Sequence, residues 1–142
     1  AAYGKAAELA KADIEHYMTF TRSLREKLKN GLLEKIPNIK VNGHPENVLP
    51  NTLDISFPGA EGEAILLHLD LLGVDVSTGS ACASGSLEPS HVLMATGLGP
   101  ELAHGSIRFS FGKYNTEKDV DYILEKFPPV IDRLRKMSTL SM

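Results

Sequence analysis

The sequence predicts an α+β fold, with a small and mainly antiparallel sheet covered by helices. Segments with helical spacing of apolar residues lie at both ends of the chain, and short alternating apolar and polar segments lie between them. No internal repeat or low-complexity tract interrupts this order. With 142 residues, 42% hydrophobic and 23% charged, the chain is long enough to bury a core. We therefore predict one domain over residues 1–142.

Residues 1–33 predict a long helix, because they contain no proline and are rich in alanine, lysine and glutamate. Their larger apolar residues recur at helical spacing, at Ile14, Tyr17, Met18, Leu24, Leu28 and Leu32. Neither a capping residue nor an initiator methionine precedes this helix. We therefore expect the sequence to be part of a longer protein.

The middle of the chain predicts strands and a buried helix. Residues 39–41 and 53–57 alternate with the period of half-buried strands, and turn-forming Asn, Gly and Pro residues separate them. Residues 62–72 are apolar enough for a largely buried helix. Residues 74–76 then predict a short strand.

A helix and a strand are predicted in the last third of the chain. Pro89 suits the first turn of a helix that ends at Gly97. Residues 106–111 alternate strictly, which predicts a strand with one apolar and one polar face. Arg108 lies on the polar face and therefore points away from the core.

The C-terminal segment predicts an amphipathic helix with a defined start. Thr116 and Asp119 have the spacing of a capping box. Pro128 and Pro129 should kink or split the helix near its middle, since proline has no backbone N–H to donate. The helix ends in a basic cluster that we interpret as a solvated face, with partner binding as the alternative. This cluster consists of Arg133, Arg135 and Lys136.

The only cysteine, Cys82, lies in a stretch of mostly Ser, Thr and Gly residues from Ser77 to Ser86. Such a stretch predicts a flexible, hydrated loop, whereas a structural cysteine usually stands among apolar residues. A thiol on that loop can reach a partner and react, because the thiolate is the nucleophile. We predict that Cys82 is reactive, and a passive loop cysteine is the alternative.

Charge and composition argue against several classes of function. A net charge of -3 disfavours nucleic acid as the main partner, which would need clustered Lys and Arg. No apolar segment reaches membrane-spanning length, and the start resembles no signal peptide. A single cysteine makes no internal disulfide, so we expect a reducing, cytoplasmic location. The five histidines lack the spacing of a zinc site, and no metal is expected.

Two motifs resemble those of the cysteine desulfurases, which supply sulfur for iron–sulfur clusters. Residues 76–93, Val-Ser-Thr-Gly-Ser-Ala-Cys-Ala-Ser-Gly-Ser-Leu-Glu-Pro-Ser-His-Val-Leu, are similar to the active-cysteine loop of the long-loop group. Residues 103–112 are similar to the strand motif that follows it. Residues 41–43 and 49–52 also fit, so the resemblance covers essentially the whole chain. It implies the C-terminal small domain of a fold type I pyridoxal-phosphate enzyme.

The resemblance implies a sulfur-transfer reaction. In these enzymes pyridoxal phosphate makes the sulfur of L-cysteine electrophilic, the loop thiolate takes that sulfur as a persulfide, and L-alanine is released. Position by position, Cys82 matches the nucleophile and sulfur carrier, and Arg108 matches the residue that holds the substrate carboxylate. His104, close to Arg108 in the sequence, is a candidate supporting residue, with a purely structural role as the alternative.

The resemblance also implies that the cofactor site lies elsewhere. In this family the lysine that binds pyridoxal phosphate belongs to a Ser-x-His-Lys type motif in a large domain. This sequence has no such motif and no lysine between Lys40 and Lys113. We therefore expect no cofactor-binding residue in this chain, and no activity without the large domain.

The resemblance implies partners as well. The parent enzyme is expected to be a homodimer that passes sulfur to an iron–sulfur scaffold protein or another acceptor. The alternative is a stand-alone persulfide carrier or interaction domain without a cofactor.

Overall fold

A computed structural model describes residues 1–78 and 89–138 of the chain. The helices in these ranges are α1 (Ala2–Lys35), α2 (Gly62–Asp70), α3 (His91–Ala95), α4 (Pro100–His104) and α5 (Glu117–Met137). The strands are β1 (Lys40–Val41), β2 (Thr52–Ser56), β3 (Ser77–Thr78) and β4 (Ser106–Ser110). Cys82 lies outside the described residues.

The strands form one sheet in the order β1-β2-β4-β3, and every pair is antiparallel. In the central pair, Leu53 of β2 lies opposite Phe109 of β4, and Ile55 lies opposite Ile107. These four side chains are buried and share one face, because side chains alternate along a strand. The predicted α+β fold with a small antiparallel sheet is confirmed.

The core lies between this apolar face of the sheet and the helices α1, α2 and α5. Phe127 of α5 is at its centre, with edge-on ring contacts to Phe57 at 5.1 Å and Phe109 at 6.0 Å between centroids. Helix α1 adds a buried polar contact, since Arg25 Nε donates a hydrogen bond to the Thr52 carbonyl at 2.8 Å. This contact attaches α1 to the beginning of β2. No helix within the described residues combines the length and hydrophobicity needed to cross a bilayer.

Helix α5 begins as predicted but does not split at its two prolines. Thr116 and Asp119 form the predicted capping box, and one helix continues through Pro128 and Pro129 to Met137. Pro128 has no N–H for the Leu124 carbonyl, which instead accepts a hydrogen bond from Lys35 Nζ of α1 at 3.2 Å. Packing against α1 thus replaces the bond that the proline removes.

Strand β3 lies at Ser77–Thr78, so the prediction of a strand at residues 74–76 is wrong. Gly73 adopts a left-handed φ of 74° after α2, and the Val74 N–H donates to the Leu69 carbonyl at 2.9 Å. This hydrogen bond closes the end of the helix. Pairing with β4 starts only at Ser77.

The two short helices differ partly from the sequence prediction. Ser90 caps α3 by accepting a hydrogen bond from the Leu93 N–H, which places Pro89 before the cap and not in the first turn. Gly97 follows the helix with a left-handed φ of 83°, as its predicted role as a stop requires. Helix α4 was not predicted, because five residues are too few to show a period. Its start at Pro100 is the only local signal.

Arg135 is not part of a solvated face, and that interpretation is wrong for this residue. Its Nε, Nη1 and Nη2 atoms donate to the carbonyls of Pro58, Pro37 and Asn38 at 3.0, 2.8 and 3.0 Å. Burial lowers the pKa of Arg135 from its usual value. The planar guanidinium therefore joins α5 to the turns that precede β1 and α2. The neighbouring Arg133 and Lys136 are exposed, as predicted.

Replacing Arg135 with alanine is expected to lower the free energy of unfolding by about 2 kcal/mol, because three carbonyls lose their donor. Lysine should restore only part of this loss, since one ammonium cannot match the guanidinium fork. Urea unfolding followed by circular dichroism measures both changes. The control is Arg133→Ala on the exposed side of the same helix, expected to stay within about 0.5 kcal/mol of the unaltered chain. Equal losses in Arg135→Ala and Arg133→Ala would contradict this role.

Candidate functional site

Arg108 lies on the polar face of the sheet, in the strand between β2 and β3. Arg108 in β4 is the Cα partner of Asp54 in β2 and of Ser77 in β3. The predicted alternation of β4 is confirmed, because Ile107 and Phe109 on either side of Arg108 are buried in the core. The side chains of Arg108 and Asp54 therefore emerge next to each other on the face away from that core.

A cavity of about 300 Å³ lies above this face. Its walls come from the end of β1, from β2, from β4 and from α3 with its flanking residues. The lining residues are Asn42, Gly43, Asp54, Ser90, Val92, Leu93, Thr96 and Arg108.

Arg108 provides the positive charge of this cavity. Its side chain is half-buried, and its charge acts on the Asp54 carboxylate beside it. Guanidinium presents two parallel N–H donors that match a carboxylate, and such a pair is stronger in a partly buried cavity than in open water. The arrangement is therefore suited to bind a small carboxylate.

Asp54 provides the negative charge, and Asn42 holds it in place. Asn42 Nδ2 donates to Asp54 Oδ1 at 2.6 Å and to Ser56 Oγ at 2.8 Å, and its backbone N–H donates to the Asp54 carbonyl at 2.9 Å. Burial raises the pKa of Asp54, while the Asn42 hydrogen bond and the Arg108 charge pull it down, and the net direction is upward. Asn42 Oδ1 is buried and has no hydrogen-bond partner among the described residues.

Sequence reasoning did not identify Asn42 or Asp54 as site residues. Asn42 was interpreted as a turn residue and Asp54 as an ordinary polar position of an alternating strand. The available signal was the polar side of residues 52–56, but its significance depends on the strand register. That register pairs positions 54 residues apart in the chain, Asp54 and Arg108.

Described residues on both sides of Cys82 lie next to Arg108 or line its cavity. Ser77 is the Cα partner of Arg108, and Ser90 lines the cavity. Cys82 itself lies within residues 79–88, outside the described part of the chain, and its reactivity stays a prediction.

His104 is not brought into the cavity. It is the exposed last residue of α4 and does not line the cavity around Arg108. A supporting role for His104 stays a prediction, without a contact to Arg108 in the described structure.

A second cavity of about 360 Å³ adjoins the first and shares Asn42, Gly43 and Thr96 with it. Its remaining walls come from Lys40, Val41, His44 and Leu98. His44 Nδ1 accepts hydrogen bonds from the N–H groups of Glu46 and Asn47 at 3.0 and 2.9 Å, so Nε2 carries the proton of the neutral ring. Within residues 1–78 and 89–138, no three His, Cys, Asp or Glu side chains meet in a way that would hold a metal ion.

The residues of these cavities do not fit pyridoxal phosphate, the cofactor that the sequence resemblance implies. Such a site needs a lysine for the aldehyde and an acidic or basic partner for the ring nitrogen. No lysine lines the cavity around Arg108, and Lys40 at the adjoining cavity is exposed. Residues 79–88 contain no lysine either. The donors present suit a carboxylate, not this cofactor.

Comparison with known proteins agrees with the resemblance seen in the sequence. The chain is 51% identical over 140 residues to "Cysteine desulfurase 2" of Trichormus variabilis, which covers 99% of this chain. It is 47% identical over 135 residues to "Cysteine desulfurase NifS" of Azotobacter vinelandii, which covers 95% of this chain. Among solved structures, a NifS-like protein from Rickettsia africae matches with a TM-score of 0.79 at 32% identity, over 92% of this chain and 33% of that one.

The chain spans about a third of the curated relatives that it matches, 35% of the Trichormus protein and 34% of the Azotobacter protein. The sequence pattern of the aminotransferase class-V family matches residues 1–123, which include Arg108, Asp54 and the cysteine. The chain therefore belongs to the aminotransferase class-V family.

Proposed function

We propose that residues 1–142 are one domain of a cysteine desulfurase, its C-terminal small domain. The observation that carries this proposal is the similarity to proteins named cysteine desulfurase, at 51% identity over 99% of the chain. The cavity supports it, because the Arg108 guanidinium lines the cavity and can accept the carboxylate of an amino acid as a further partner beside Asp54. The protein would act on L-cysteine and release L-alanine.

Arg108 is proposed to bind and orient the substrate carboxylate. Its neighbours Ile107 and Phe109 are fully or almost fully buried, at 0% and 3% exposure, so the strand under Arg108 is held rigidly. A rigid binding group fixes the orientation of the bound substrate. Less orientational entropy is then lost when the transition state forms. Ser77, which precedes the cysteine-bearing segment, is the strand partner of Arg108, and Ser90, which follows it, lines the cavity. This placement supports Cys82 as the recipient of the sulfur.

The proposed transfer balances without an outside oxidant or reductant. The C–S bond of L-cysteine breaks, and a new S–S bond joins its sulfur to Cys82 Sγ. The substrate carbon gains a hydrogen in place of sulfur and leaves as the methyl group of L-alanine, while Cys82 becomes a persulfide. The thiol of Cys82 is oxidised and the substrate carbon is reduced by the same two electrons.

The cofactor and partners belong to the same proposal. Members of the aminotransferase class-V and cysteine desulfurase families depend in general on pyridoxal phosphate. Because the described residues do not fit that cofactor, we propose that it binds to a large domain outside residues 1–142. We also propose a cytoplasmic homodimer that delivers sulfur to an iron–sulfur scaffold protein or another acceptor.

A second candidate function is a stand-alone persulfide carrier. None of the described residues that line the Arg108 cavity is a lysine, which favours a carrier, since a carrier needs no cofactor. Both candidates require a reactive Cys82, so the activity of a complete enzyme has to separate them.

A hybrid enzyme tests the proposed function. The matching third of the Trichormus cysteine desulfurase is replaced with this chain, and sulfide and L-alanine are measured after addition of L-cysteine and pyridoxal phosphate. We expect the hybrid to turn over, and the chain alone to release no sulfide while its intact mass gains sulfur from a small persulfide donor. An inactive but folded hybrid, together with a chain that still accepts sulfur, would favour the carrier. Catalytic sulfide release by the chain alone would contradict our assignment of the cofactor site.

A further inference from the structure

We propose that Asp54 is a specificity-determining residue, which restricts the Arg108 site to ligands with a single carboxylate and excludes dicarboxylates. This inference rests on the proposed function, because Arg108 must be the carboxylate-binding group. Asp54 has no role in the proposed function itself. Its proposed role implies a class of substrate, amino acids without an acidic side chain.

The strand register places Asp54 beside Arg108. Asp54 and Arg108 are directly opposed in the central antiparallel pair, which brings their Cβ atoms to about 5 Å. Both side chains line the same cavity. A ligand that reaches the guanidinium therefore also approaches the carboxylate of Asp54.

Hydrogen bonds hold the Asp54 side chain at the cavity. Asn42 is 9% exposed and donates from Nδ2 to Asp54 Oδ1 at 2.6 Å, and the same nitrogen is held by Ser56 Oγ at 2.8 Å. Ser56 is fully buried, so this chain of contacts is anchored in the sheet. The position of the negative charge is thus as well defined as that of Arg108.

The charges in the cavity oppose a second carboxylate on the ligand. Of the described residues that line the cavity, only Arg108 and Asp54 have ionisable side chains. Lys40 and His44, which are also ionisable, line the adjoining cavity. One carboxylate of a ligand can pair with the guanidinium. A second carboxylate on the same small ligand would lie near the like charge of Asp54, and repulsion is strong in these partly buried surroundings.

Ligand binding by this chain tests the inference at pH 8. Propionate and succinate are titrated separately into the protein, and the side-chain Nε–H signal of Arg108 is followed by NMR. That signal is assigned by its loss in Arg108→Lys. We expect propionate to bind more tightly than succinate. In Asp54→Asn the affinity for succinate should rise about tenfold relative to propionate, as expected for removing one like charge at this distance.

Two further variants separate charge from structure. Asp70→Asn removes the same charge at an exposed position of α2, outside both cavities, and should leave the affinity ratio unchanged. Asp54→Ser removes the charge with a smaller side chain and should change the ratio as Asp54→Asn does. Backbone amide spectra show whether each variant is folded.

The outcomes distinguish this inference from the proposed function. If propionate binds at Arg108 but the ratio is the same in the unaltered chain and in both folded Asp54 variants, the role of Asp54 is wrong while the carboxylate site stands. If neither ligand shifts the Arg108 signal, the carboxylate site and this inference fall together. The turnover of the hybrid enzyme is measured independently of both results.

Discussion

Replacing Arg108 with glutamine in the hybrid enzyme is expected to lower kcat/KM for L-cysteine about 100-fold, because a charged anchor in a partly buried cavity is lost. The loss should fall mainly on KM, since in the proposed function Arg108 binds the carboxylate before and during the reaction. Arg108→Lys keeps the charge but not the two parallel donors of the guanidinium. Its kcat/KM should lie between those of the unaltered hybrid and Arg108→Gln. Initial rates over a range of L-cysteine concentrations measure the split.

Cys82→Ser in the same assay should affect the reaction step and not KM. It should abolish sulfur transfer with little change in substrate binding, since the serine hydroxyl forms no persulfide. An Arg108→Gln variant that loses only kcat, with KM unchanged, would argue that Arg108 does not hold the substrate. Loss of the hybrid's folded spectrum would instead assign Arg108 a structural role.

Gly62→Ala is expected to lower the free energy of unfolding by about 3 kcal/mol, at the upper end of what overpacking costs. A Cβ at Gly62 would lie 2.5 Å from the His104 carbonyl oxygen and 3.4 Å from that of Ser106. Both obstacles are backbone atoms at the junction of α4 and β4, so no side chain can rotate to make room. Relief of the clash requires α2 to move away from the strand that carries Arg108.

The matched control for Gly62 is Gly4→Ala, in the exposed first part of α1. A Cβ at Gly4 would meet no atom within 4 Å, and alanine favours the helix by about 1 kcal/mol over glycine. Urea denaturation of both variants should therefore show changes of opposite sign. If Gly62→Ala were as stable as the unaltered chain, the close approach of α2 to the α4–β4 junction would be contradicted.

Much of this protein follows from the sequence alone, because the relevant signals are local. The spacing of apolar residues indicates α1 and α5, and strict alternation indicates β4 with Arg108 on its polar side. The capping box at Thr116 and the stop at Gly97 depend only on neighbouring residues. Motifs around Cys82 and Arg108 likewise identify the family without any knowledge of the fold.

Only the tertiary structure determines which distant residues meet. The pairing of Asp54 with Arg108 depends on the register of two strands, and a shift by one residue would send Asp54 to the other face. The Leu124 carbonyl, which Pro128 leaves without a helical donor, accepts a hydrogen bond from the distant Lys35. These contacts form between segments that are far apart in the chain, and local propensity contains no information about them. The charge that surrounds Arg108 is therefore a property of the fold, while Arg108 itself is evident from the sequence.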